Sequence, residues 1–236
     1  MGYILLEGGA EFGGEMSAPD RRALQLAGGA DALISIIPTA AAPDNNHQRA
    51  GENGKSWFES LGAARVVVLP LIDRVSANDP GIIDVLKESR MIYLLGGFPH
   101  YLGQTLLESN AWQAMVAAHE TGAVIAGSSA GAMVLCEYYY NPADDNIAKG
   151  LGLVEGVCII AHHDTSGRNW AKRLKRLLPD VILIGIEEQT GMVNDGPSGS
   201  WQVYGKGQVT LYRKGAPRHF TSGIPFDVHT AFVDIA

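Results

Sequence analysis

Ala123-Val124-Ile125-Ala126-Gly127-Ser128-Ser129-Ala130-Gly131-Ala132-Met133-Val134-Leu135 is a short apolar run that ends in Gly-Ser-Ser-Ala-Gly and resumes as a run of good helix formers. The pattern G-x-S-x-G between a strand and a helix has the form of a nucleophile elbow. A serine at such an apex must take an unfavourable backbone conformation, at a cost of roughly 1–3 kcal/mol. Small neighbours let the strand and the helix approach closely, and Gly127, Ala130 and Gly131 meet that need. The turn lifts the Ser129 hydroxyl above the sheet edge. It also sets the Ala130 amide at a helix start, where unpaired N–H groups favour negative charge. Ala130 is therefore a candidate oxyanion donor, and the alternative is a tight small-residue turn with no chemistry.

Outward from this stretch the chain alternates apolar runs with amphipathic segments. Strands are expected at 3–6, 32–38, 65–71, 91–95 and 124–126, and helices at 19–27, 46–61, 80–89, 101–107 and 111–119. Such alternation specifies an α/β fold, with a mostly parallel sheet and helices on both faces. Beyond the elbow helix come an expected strand at 157–161, a basic helix at 168–178 and a strand at 181–186. The stretch 199–212 alternates around Gly205-Lys206-Gly207 and reads as a late antiparallel hairpin. The sequence shows no linker, repeat or low-complexity tract, so 1–236 is expected to be a single catalytic domain.

The chain has 236 residues, 46% hydrophobic and 18% charged, with a formal net charge of −7. That balance argues against a general nucleic-acid binder, which would present a basic face. No apolar run reaches membrane-spanning length, and the first residues lack a signal-peptide pattern. Cys136 and Cys158 follow or sit in apolar runs and are expected as buried free thiols, which fits a cytoplasmic setting. No cysteine–histidine spacing suits a metal, so neither a metal nor an organic cofactor is expected.

A serine hydroxyl needs a neighbouring base. Of the seven histidines, His162 and His163 directly follow an expected strand, at the sheet edge where Ser129 also lies and where sites of open α/β sheets gather. An orienting acid could come from Glu187 or Glu188 after the strand at 181–186, from Asp144 or Asp145 after the elbow helix, or from Asp164. Gly96-Gly97 closes the strand at 91–95, and a glycine amide there could supply a second oxyanion donor.

The order of these features resembles the S51 serine peptidases, the family of dipeptidase E and cyanophycinase, whose fold is similar to that of class I glutamine amidotransferases. The resemblance rests on Gly8-Gly9-Ala10-Glu11, Ile37-Pro38-Thr39-Ala40, Leu95-Gly96-Gly97, the elbow, His162-His163, Gly167-Arg168, Gly185-Ile186-Glu187-Glu188-Gln189-Thr190 and Gly205-Lys206-Gly207-Gln208-Val209-Thr210. It implies Ser129 as nucleophile, His163 as base with His162 as the alternative, and the Gly97 and Ala130 amides as oxyanion donors. The cyanophycinase-like segment implies Glu188 as the acid, whereas the dipeptidase E pattern points to Asp144 or Asp145. Where cyanophycinase-like members carry polar residues after the double glycine, Phe98-Pro99-His100 stands here. Phe98 and Arg168 are the substrate-binding candidates, Arg168 as a cation for an acidic substrate side chain.

The expected activity is hydrolysis of a peptide or isopeptide bond in a small peptide, aspartyl peptides among the candidates, through an acyl-enzyme. Two rivals stand beside it: an α/β-hydrolase-type esterase, whose triad order would call on His219 or His229, and a catalytically idle ligand-binding member of the same fold. Self-association into a homodimer is left open.

Overall fold

The computed structural model describes residues 1–213 and 215–231. Five parallel strands, β1 (Ile4–Glu7), β2 (Leu33–Ile37), β3 (Arg65–Val68), β4 (Met91–Leu94) and β5 (Val124–Ser128), lie in the spatial order β1-β5-β4-β2-β3. Between them run α1 (Ser17–Leu26), α2 (His47–Ser60), α3 (Pro80–Glu88), α4 (Pro99–Leu106) and α5 (Asn110–Glu120). Every residue of β1, β2, β4 and β5 is buried. The reason is visible in the pleat. Leu6, Ile92, Leu94 and Ile125 join one apolar cluster, while Leu5, Met91, Tyr93 and Ala126 join another on the opposite face. A strand covered on both sides has no polar face, so it reads as a continuous apolar run. Local chemistry fixes helix starts: at α3, Asp79 accepts from the Gly81 and Ile82 amides at 2.8 and 3.1 Å, with Pro80 in the first turn.

After β5 the chain turns into the short helix α6 (Ala130–Leu135) and then builds a second sheet. This comprises β6 (Cys136–Asn141), β7 (Asn146–Lys149), β8 (Val154–Ile160) and, after α7 (Trp170–Leu177), β9 (Ile182–Ile186). Next, β10 (Thr190–Val193) and β11 (Gln202–Gly205) add an antiparallel pair to the free side of β1. Finally β12 (Val209–Tyr212) and β13 (Arg218–Phe220) extend the second sheet, whose order is β13-β12-β9-β8-β6-β7. Side chains of both sheets share one apolar cluster, from Leu6 and Ile125 to Ile159 and Ile184.

The expected hairpin at 199–212 is not formed. β11 pairs with β10 and β12 pairs with β9, so the Gly-Lys-Gly link crosses between sheets. The crossing is held by the segment before β10. The Lys206 amide donates to the Gln189 carbonyl at 2.9 Å, the Gly207 amide to the Thr190 hydroxyl at 2.9 Å, and the Gln208 amide to the Glu187 carboxylate at 3.1 Å. Those bonds replace the ones a closed turn would make with itself.

Cys136 and Cys158 are buried free thiols; burial raises both above the usual thiol range, Cys158 to about 12. Among the described residues no helix is long and apolar enough to cross a membrane.

Candidate active site

The elbow is built as its residue types require. Ser129 sits at φ 48°, ψ −110°, with its amide donating to the Glu7 carbonyl at 3.0 Å and its carbonyl accepting from Met133 at 3.0 Å. A Cβ at Gly127 would lie 2.5 Å from the Gly131 carbonyl carbon, and one at Gly131 would lie 2.2 Å from the Leu94 carbonyl oxygen. The two glycines of the motif are thus demanded by backbone-to-backbone contact between β5, α6 and β4.

Ser129 Oγ lies 2.9 Å from Nε2 of His162, and Nδ1 of His162 lies 2.8 Å from Oε1 of Glu188. With Nδ1–H donated to the carboxylate, Nε2 is left to accept the hydroxyl proton. His162 follows β8 and Glu188 follows β9, so all three side chains come from carboxyl ends of parallel strands. His162 is held in a left-handed conformation, φ 49°. Its amide donates to the Gly8 carbonyl at 2.8 Å, and its carbonyl accepts from Thr165 and Gly167 at 3.0 and 2.8 Å. Glu188 is braced twice: its amide donates to Asp164 Oδ1 at 2.9 Å, and Thr165 Oγ1 donates to its Oε1 at 3.0 Å. The His162 and Glu188 side chains keep 30% and 33% of their exposure, so the relay opens to solvent.

His163 does not stand beside Ser129, and the expectation that it does is corrected. Its ring turns to the other side of the chain, packs against Gly185 of β9 and bonds the Tyr212 hydroxyl at 2.8 Å. Burial lowers its pKa. Neighbours at a strand end point in opposite directions, so only one imidazole of the pair can reach the elbow. Asp144 and Asp145 are also displaced from their expected place. They lie in the β6–β7 turn, where Asp144 accepts from Asn141 at 2.8 Å and Asp145 accepts from Tyr140 at 2.6 Å and pairs with Arg173. Asp164 reaches the Glu188 amide, and Glu187 holds the Gln208 side chain at 3.0 Å. His219 bonds Thr210 at 3.0 Å and His229 lies by Gly156 of β8, so the serine–acid–histidine order of an esterase is not formed.

Gly96 packs on Ser129: a Cβ on it would lie 3.3 Å from Ser129 Cβ. Of three successive amides there, Gly96 donates to Glu11 and Phe98 donates to the Ala40 carbonyl at 2.8 Å. Gly97, at φ 139°, lies between them. Phe98 is 41% exposed at the start of α4. Arg168 is exposed in the turn that follows His162, and its charge acts on His163.

A model of peptidase family S51 matches residues 4–198. The chain belongs to this family. It is similar to the cyanophycinase of Geminocystis herdmanii, 29% identical over 221 residues, which span 88% of this chain and 79% of that one. The cyanophycinase of Synechococcus elongatus is 30% identical over 204 residues, 79% of this chain but 60% of the longer relative. Among solved structures, a peptidase from an acI-B1 actinobacterium superposes with a TM-score of 0.85 at 28% identity, over 96% of this chain and 97% of that one. A putative peptidase E protein from Listeria monocytogenes shares the fold, with a TM-score of 0.59 at 17% identity, covering 91% and 100% of the two chains. The protein is an S51 serine-type peptidase.

Two features of the S51 site are not apparent from the residue types alone. The Gly8-Gly9 pair forms a shelf: a Cβ on Gly9 would lie 2.2 Å from Cε1 of His162, and one on Gly8 would lie 2.1 Å from the Glu187 carbonyl oxygen. The Gly9 carbonyl also takes the Gln189 amide at 3.1 Å. Gly9→Ala should push the ring off the serine, and a misplacement on the order of 1 Å costs about 10²-fold in rate. Steady-state kinetics beside a thermal melt check this, with kcat/KM falling while the fold persists. Glu11 is the second feature. Its carboxylate lies 3.3 Å from the Gly96 amide, and removal from water raises its pKa.

Below the elbow, the buried Glu7 accepts from the Tyr93 hydroxyl and the buried Asp20 from Trp57 Nε1 at 2.8 Å. Burial raises both carboxyls, Glu7 well above the usual range and Asp20 to about 7. Removal from water favours the neutral form of Glu7 in the strand that supports Ser129.

Proposed function

We propose that this S51 peptidase hydrolyses a peptide or isopeptide bond of a small peptide through an acyl-enzyme on Ser129, with residues 1–236 acting as one catalytic domain. The observation that carries the reading is the unbroken relay from Ser129 Oγ to His162 Nε2 at 2.9 Å and from His162 Nδ1 to Glu188 Oε1 at 2.8 Å.

His162 takes the hydroxyl proton as Ser129 Oγ bonds to the substrate carbonyl carbon. The Gly97 and Ala130 amides receive the tetrahedral oxyanion. Support for Gly97 is that the amides on either side of it are engaged elsewhere; support for Ala130 is its place at the start of α6. His162 then gives its proton to the leaving amine as the C–N bond breaks, and an ester on Ser129 remains. Water attacks that ester while His162 takes a proton from it, and the proton returns to Ser129 as the acid product leaves. Glu188 keeps the ring in the required tautomer and stabilises its cation. Asp164 and Thr165 act through Glu188 as positioning residues.

The test is a panel of α-dipeptides, β-aspartyl dipeptides and a p-nitrophenyl ester, with product amines read by mass spectrometry. Cleavage of at least one peptide is expected. Ester cleavage with every peptide left intact would overturn the reading.

A further inference from the structure

Beyond Gly97 a cleft of about 690 Å³ opens, walled by Pro43, Phe98, Pro99, Tyr101 and Pro142 and carrying Asp144 on its rim. We propose that it is the side-chain subsite of the S51 site and that it takes an aromatic or large apolar residue flanking the scissile bond. The proposal rests on the catalytic reading above and adds the class of substrate.

Continuity is the first support. The backbone Gly96-Gly97-Phe98 serves both places, because Gly96 packs on Ser129 while Gly97 and Phe98 line the cleft. A substrate with its carbonyl at Ser129 Oγ runs its next side chain over that peptide. Surface chemistry is the second. Phe98 and Tyr101 are two of six large apolar side chains exposed among the described residues. They stand on the first turn of one helix, α4. A ring laid on them removes apolar area from water on three sides and stacks aromatic on aromatic. Charge is the third. The lining carries one carboxylate, Asp144, already tied to Asn141 at 2.8 Å, and one imidazole, His100, whose Nδ1 lies 3.0 Å from the Tyr139 hydroxyl. A substrate aspartate would meet a carboxylate on the rim and no lysine or arginine in the lining.

The decisive measurement is binding to the Ser129→Ala protein by titration calorimetry, which reads specificity with the chemistry switched off. Ligands are alanine dipeptides carrying Phe, Asp or Arg, each in both orders. One Phe dipeptide should bind about ten-fold or more tighter than its Asp and Arg counterparts, the ratio expected from burying one aromatic side chain. Phe98→Ala in that background should remove most of the difference, and Tyr101→Ala, on the exposed face of α4, should reduce it without disturbing the helix start. In the wild type the same Phe dipeptide should have the highest kcat/KM. Equal or tighter binding of Asp or Arg dipeptides, a preference unmoved by both variants, or no binding of any dipeptide would overturn the proposal. Phe-selective binding with no peptide cleavage by the wild type would instead count against the catalytic reading alone.

Discussion

On the proposed mechanism, exchange of Ser129 for alanine should abolish turnover, with a loss of about 10⁶-fold in kcat, the scale on which removal of a serine nucleophile acts. The fold survives the change. The strained turn is fixed by backbone contacts of Gly127 and Gly131 and by the Ser129 amide on the Glu7 carbonyl, none of which uses the hydroxyl. The imidazole partner retains contact with water and is not left as a buried orphan. Circular dichroism and a thermal melt should match the wild type, while product formation on any peptide that the wild type cleaves falls to background. Full activity in this variant would remove the serine from the mechanism.

The second large effect separates two adjacent residues. His162→Ala should lower kcat by about 10⁶-fold, because a triad member acts as part of a unit and its loss costs nearly as much as loss of the nucleophile. His163→Ala should leave kcat within about ten-fold of the wild type, its cost being one of stability, on the order of 1 kcal/mol for a half-buried, hydrogen-bonded side chain. The ring that bonds Tyr212 and packs on Gly185 supports β9 from the far side. Kinetics and denaturant unfolding of the two variants give opposite patterns. A collapse of kcat in His163→Ala with His162→Ala active would reverse the assignment.

The pair also shows where reading the sequence stops. An apolar run followed by two histidines places both at a strand end, but which ring faces the elbow depends on the positive φ of His162 and on the space left by Gly9, neither of which the pair itself announces. Glu188 was legible through its segment, since an acid directly after a buried strand lies at that strand's carboxyl end; that β8 and β9 belong to a second sheet, rather than to the edge that carries the serine, was not. Glu11 was not, because its part in the site comes from the Gly96 amide, 85 positions away. The parallel core was legible because strands such as Met91–Leu94 are apolar on both faces. Cys136-Glu137-Tyr138-Tyr139-Tyr140-Asn141 does not advertise itself as β6, because its polar and aromatic residues follow no clean alternation and its buried run, Tyr139 to Asn141, ends on a polar residue. The late link failed for a similar reason. A Gly-Lys-Gly turn fits a hairpin locally, and the competing hydrogen bonds that the Lys206, Gly207 and Gln208 amides donate to Gln189, Thr190 and Glu187 are long-range.

The central claim concerns a serine made reactive by one particular imidazole, and covalent labelling with a serine-directed phosphonate reads it most directly. Intact-mass and peptide mapping should find one adduct, on residue 129, formed at an undiminished rate in His163→Ala and about 10³-fold or more slowly in His162→Ala. An adduct elsewhere, no adduct, or a rate that depends on His163 and not on His162 would contradict the account.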